Sequence, residues 1–176
     1  MNIDYETTGT ARAEQFSDET AAIEGNDDVI SRLNGLIEIC KDGQEGFKNA
    51  AEGVEDAELK KTFYESSQQR SEFAGILQAS VRSLGGDPET KSTVLGSLHR
   101  GWMDLKSAVT GKDASSILNE CERGEDAAKD AYKDAVEAAL PANIADIIAE
   151  QAHAVTAAHN RIRSLRDQYN SRSDGF

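Results

Sequence analysis

Glu125 and His159 carry the two donor types, carboxylate and imidazole, that divalent iron or manganese requires. Glu125 stands on the apolar seam of one long helical repeat, and His159 borders the seam of another. Glu45 and Glu122 could assist them. A four-helix bundle that turns such groups inward can hold one or two metal ions in its middle. Glu122 and Glu125 also lie three residues apart on one helix face, the spacing of paired carboxylates in acid–base work. Such pairs are common on solvated helices too, and no catalytic residue is assigned. Other interruptions of the apolar seams point away from metal. They are Cys40 and Gln44 in the first repeat, Gln69 and Arg70 in the second, and Gln151 in the fourth. A thiol is not a hard oxygen donor, and a buried Arg70 opposes a cation directly. Arg70 could instead pair with Glu125, or Gln69 could hydrogen-bond to it, since a buried carboxylate must find a partner. The favoured reading is therefore a structural polar layer of Gln44, Gln69, Arg70, Glu125 and Gln151. The alternative is a weak or mononuclear iron or manganese site on Glu125 and His159, with Glu45 or Glu122 assisting.

Four amphipathic runs must position these residues. The first follows Asn26-Asp27-Asp28, which offer N-caps and early negative charge. Its seam is Val29, Leu33, Ile37, Cys40, Phe47, Ala51 and Val54, spaced by threes and fours as a bundle requires. Gly43 and Gly46 flank the gap at Gln44. Each costs about 1 kcal/mol of helix propensity, so a close helix contact or a site is expected there. The second run, from about Ala57 to Leu84, carries Leu59, Phe63, Phe73, Ile76, Leu77 and Val81, and Gly85-Gly86-Asp87-Pro88 ends it. The third, from about Asp113 to Ala139, carries Ile117, Cys121, Ala128, Tyr132 and Ala135. Leu140-Pro141 breaks the chain before the fourth, on Ile144, Ile148, Val155, Ile162, Leu165 and Tyr169. Residues 1–25 read as a disordered acidic tail, 26–170 as one bundle, and 171–176 as a frayed end.

The joins between runs decide the architecture. They are short between one and two and between three and four, and long between two and three. A shorter amphipathic run at 92–109, with Trp102, fills the long one. The fold expected is all-α: a ferritin-like antiparallel four-helix bundle whose long crossover between helices 2 and 3 carries a short extra helix. The formal net charge of −13 argues against nucleic acid and against anionic lipid as partners. Neither CxxC nor CxxH accompanies Cys40 and Cys121, so both read as small core residues. No apolar stretch approaches a membrane span and no signal peptide is visible, which suggests a cytoplasmic protein with reduced thiols. His153 falls off the seam, and His99 is expected to pack in the crossover.

The segments CKDGQEGFKNAAE, QQRSEFA, SLGGDPE, LHRGWMDLK and ECERGEDAAKDAY resemble a bacterial family of uncharacterised ferritin-like proteins, a domain of unknown function. The resemblance spans roughly residues 27 to 169 and implies a ferritin-like fold, with no established reaction. Metal sites of that superfamily use a Glu from each of two helices and a Glu-x-x-His from the other two. In many, the lone Glu lies seven residues before an aromatic, as Glu125 does before Tyr132. The same spacing before Phe47 lands on Cys40, and neither helix 2 nor His159 shows the Glu-x-x-His pattern. The expected role is therefore structural, interaction-based or stress-associated, in a homo-oligomer, most simply a dimer. Leu36, Ile39, Leu118 and Ile147 are the outer apolar residues such an assembly would cover.

Overall fold

The computed structural model describes residues 25–88 and 113–173. They form four α-helices and no strand: α1 (Asn26–Gly53), α2 (Ala57–Ser83), α3 (Ala114–Val136) and α4 (Ala142–Ser173). The acidic tail and the short run expected at 92–109 lie outside the described residues. The carboxyl-terminal helix continues to Ser173.

Local chemistry sets most of the helix ends. Asp56 caps α2, its Oδ1 accepting from the Glu58 and Leu59 amides at 2.9 and 3.0 Å. Asp113 caps α3 by accepting from the Ser116 amide at 2.8 Å. These hydrogen bonds hold its carboxyl below the usual aspartate range. Pro141 precedes α4, and its carbonyl accepts from Ile144 and Ala145 at 2.9 Å. The start of α1 differs from expectation. Gly25 holds the cap position without a side-chain bond, Asn26 is already helical, and Asp27 and Asp28 lie in the first turn. There their charge faces the positive end of the helix. At the far end of α2, Gly85 adopts φ +81°. The Gly86 amide then reaches the Val81 carbonyl and the Gly85 amide the Arg82 carbonyl, both at 3.0 Å. This double bond pattern closes a helix on a glycine. Gly86 is needed for a second reason: a Cβ there would stand 2.8 Å from the Ile30 side chain.

The buried apolar residues divide into two clusters. One holds Val29 to Cys40 of α1, Ala74 to Val81 of α2, Ala128 to Ala135 of α3, and Ile144 to Val155 of α4. The other holds Phe47 to Val54, Leu59 and Phe63, Ile117 to Cys121, and Ile162. In it Phe47 and Phe63 stack with ring centroids 6.2 Å apart. The order of the clusters along each helix gives its direction. α1 and α4 run from the first cluster to the second; α2 and α3 run from the second to the first. Helix α1 packs on α2 and α3, and α4 completes the ring against both of these.

Two expectations about exposure are corrected. Ile76, read as a seam residue, is 46% exposed on the outer face of α2. Leu36, Ile39 and Leu118, read as outer residues awaiting a partner, are buried within the one chain, and Ile147 packs partly buried against the first cluster. Among the described residues, no helix is long and apolar enough to cross a membrane.

Candidate functional site

Between the two apolar clusters every helix carries a polar interruption, and the four interruptions meet at one level. On α2 the seam passes from Phe63 to Ala74 through Ser67 and Arg70, both buried. On α3 it passes from Cys121 to Ala128 through Glu122, Gly124 and Glu125, and on α4 from Val155 to Ile162 through His159. On α1 the stretch between Cys40 and Phe47 holds buried Gly43 and half-buried Gln44.

Arg70 and Glu125 form the centre. Their side chains are 1% and 0% exposed. The Arg70 Nη2 donates to both Glu125 oxygens at 2.8 and 2.7 Å, while Nη1 donates to Gln69 Oε1 at 3.0 Å. The guanidinium carbon also lies 5.8 Å from the centre of the Phe73 ring. Arg70 Nε is buried without an acceptor. Gly43 explains how the arginine stem fits: a Cβ there would stand 3.3 Å from Arg70 Cγ and 3.4 Å from Cδ. The glycine in α1 is therefore a close helix contact, made for the stem of a charge on α2.

Burial pushes the Glu125 carboxyl up, against the pull of the Arg70 charge and hydrogen bonds. Burial acts to lower Arg70, but Glu125 more than offsets it and holds the guanidinium above its ordinary range. The two shifts argue oppositely about the pair, and geometry decides for the ionised form. Both Glu125 oxygens accept at short distance, whereas a protonated carboxyl would present a hydroxyl at one of them.

A second polar chain lies beside this pair, at the edge of the first cluster. Tyr132 donates its hydroxyl to Gln151 Oε1 at 2.7 Å, and the Cys40 Sγ lies 3.2 Å from the same hydroxyl. With its proton committed to Gln151, Tyr132 receives from the Cys40 thiol. Gln151 Nε2 reaches toward the Phe73 carbonyl at 3.5 Å. Burial raises the Cys40 thiol to about 11, partly countered by the Tyr132 hydrogen bond. Burial also raises Tyr132 and, more strongly than the nearby Glu125 and Glu120 charges, Cys121. None of these groups is a ready nucleophile.

The residues that would hold a metal do not converge. Glu125 is held by Arg70. His159 is buried but turned to Asp126, with Nε2 to Oδ1 at 2.8 Å and Nδ1 near Asn160 Oδ1 at 3.2 Å. Glu122 is paired with Arg166, and Glu45 is exposed. Among the described residues, no group of three or more His, Cys, Asp or Glu side chains could share an ion. The donor set therefore does not suit a di-iron or di-manganese centre, and the position nearest its carboxylate already holds a cation. Of the five polar-layer residues, Arg70 holds both Glu125 and Gln69, while Gln151 belongs to the separate chain with Tyr132 and Cys40. Gln44 contributes its main-chain carbonyl, which accepts from Ser67 Oγ at 2.8 Å. Asp126 is not legible as a site residue from sequence, and Arg166 reads there only as positive charge suited to the end of its helix. Both lie on polar faces, where one more charge among many carries no signal.

This is an all-α bundle with a charged layer across its middle. The family model for a domain of unknown function (DUF2383) matches residues 28–138, well over half of the chain, and the chain belongs to that family. The match includes Arg70 and Glu125. Among curated proteins no match was found.

Proposed function

We propose that this chain is a ferritin-like bundle in which an internal ion pair stands where a metal centre would be, and that it works as a non-catalytic protein through its surfaces. The observation that carries the reading is the Arg70–Glu125 pair, two buried charges joined by hydrogen bonds of 2.8 and 2.7 Å at the level where all four apolar seams are interrupted. A cation placed against Glu125 would have to displace the guanidinium, and of the remaining inward groups the Glu122 carboxylate is paired with Arg166 and the His159 ring with Asp126, which leaves amide, thiol and phenol. The helix directions support the ferritin-like half of the proposal. Because α2 and α3 run the same way, the end of α2 and the start of α3 stand at opposite ends of the bundle, as a long crossover between helices 2 and 3 would require. Short joins at Val54–Asp56 and at residues 137–141 make the two hairpins.

The test is metal content by mass spectrometry after expression with added iron, manganese or zinc, for the wild type, Glu125→Ala and Arg70→Ala. Metal-free protein in all three, with both variants less stable, supports the internal pair. Stoichiometric metal in the wild type that vanishes in Glu125→Ala would overturn it in favour of a metal-binding protein using Glu125 and His159.

A further inference from the structure

The large hydrophobic side chains left exposed among the described residues are Tyr64, Ile76 and Val136. Ile76 differs from the other two in its surroundings. It lies on an outward face of α2 with Glu72, Gly75, Ala79 and Arg82, all exposed and all within one side of a helix of 3.6 residues per turn. The middle of this face is low. Nothing lies within 4 Å of where a Cβ on Gly75 would stand, so another backbone can approach there closely. Its two ends are charged with opposite sign. Among the described residues, Glu72 is held by a hydrogen bond from Gln68 on its own helix. Arg82, about 15 Å further along the axis at 1.5 Å per residue, makes no ion pair among the described residues.

We propose that this face of α2 binds the same face of a second copy of the chain, with the two helices antiparallel about a two-fold axis beside Leu77. The charge pattern selects this occupant. A two-fold axis at position 77 places Glu72 of each copy opposite Arg82 of the other, so one complementary pair is made twice. It also brings the two Ile76 side chains next to each other over the floor of Gly75 and Ala79. A parallel pairing would set Glu72 against Glu72 and Arg82 against Arg82. For a chain of net charge −13, two copies repel each other unless the contact is locally complementary, and Arg82 supplies the positive half. The contact uses none of the residues of the buried layer, so it is independent of the reading of that layer.

The experiment is sedimentation of the full chain across a concentration series, for the wild type, Ile76→Lys, Glu72→Arg, Arg82→Glu and the double Glu72→Arg/Arg82→Glu. All three substituted positions are exposed, and circular dichroism checks that each variant is folded. Dimerisation is expected in the wild type and weakened at least about tenfold by Ile76→Lys, the worth of one buried aliphatic side chain. Each single charge reversal should weaken it, the double reversal should restore it, and an equimolar mixture of the two single variants should form a mixed dimer. A wild type that stays monomeric at every concentration overturns the proposal. So does a dimer indifferent to Ile76→Lys, or one in which the double reversal is no better than the singles.

Discussion

Replacing Glu125 by Gln keeps the shape of the side chain and removes its charge, leaving the Arg70 guanidinium 1% exposed with Gln69 Oε1 as its remaining strong acceptor. The new amide would turn either an oxygen or a second donor toward Nη2. Either way a cation is buried without its counter-charge. Removing one partner from a buried pair costs about 3–5 kcal/mol. The attraction lost is of the same order, roughly 4 kcal/mol for unit charges 4 Å apart at an effective dielectric of 20. Against a total stability of about 5–15 kcal/mol this is a large share. For a chain of this size it corresponds to a fall in Tm of roughly 6–20 °C. Urea unfolding followed by circular dichroism reads the change, and Arg70→Met should lose less, because it leaves a carboxyl that can take up a proton. The double variant Arg70→Met/Glu125→Leu is the decisive member of the cycle. With both charges gone and the volume kept, it should recover to within about 1 kcal/mol of the wild type or exceed it. A double variant that loses the sum of the singles, or a Glu125→Gln that loses less than about 1 kcal/mol, would refute the argument that these charges depend on each other.

Three further expectations concern neighbouring groups. Gly75→Ala, in open space on α2, should stabilise by about 0.5–1 kcal/mol, whereas Gly43→Ala should yield no gain, because its Cβ presses on an arginine stem fixed at its far end; comparing the two in one urea series tests it. Cys40 keeps its proton to about pH 11 in the folded chain and to about 9 when unfolded. Its stabilising contribution is therefore whole below pH 9 and lost as pH rises through 11, worth about 2–3 kcal/mol, and Cys40→Ala should flatten that part of the stability–pH curve; equal slopes would count against it. Tyr132→Phe removes the hydroxyl between Cys40 and Gln151 and leaves Gln151 Oε1 buried without its donor. A loss of about 1–3 kcal/mol in chemical unfolding is expected, and a neutral result would mean that water or a turned amide replaces the bond.

The helices were legible because apolar spacing, Gly85-Gly86 and Pro141 each mark a structure by local rules. The interruptions of the seams were legible too, because Gln44, Arg70 and Glu125 stand where the spacing calls for apolar residues. What could not be read was which polar groups touch. Gln44 lies on the seam, yet its main-chain carbonyl is what serves Ser67, and nothing in the spacing distinguishes the two. His159 was paired with Glu125 on residue type, while the fold turns it to Asp126, one position along the same helix. Glu125 is already held by Arg70, and apolar spacing does not say which of two adjacent carboxylates a histidine on another helix reaches. Ile76 was misplaced for a related reason. It adjoins Leu77 in sequence, and a run of two apolar residues does not say which one faces inward.

The split of the core has a further consequence for how the bundle finds its alignment. Aliphatic side chains one turn apart are nearly interchangeable, so two oily half-cores alone would tolerate a helix sliding by a turn. Such a slide carries Arg70 about 5.4 Å from Glu125 and strands two desolvated charges, which no repacking of Leu for Ile repairs. The pair then acts as a detent, costing some stability in the correct alignment and penalising every neighbouring one far more. On this view the Arg70→Met/Glu125→Leu protein would melt as high as the wild type and still give broader side-chain NMR lines, having lost the feature that made one alignment unique.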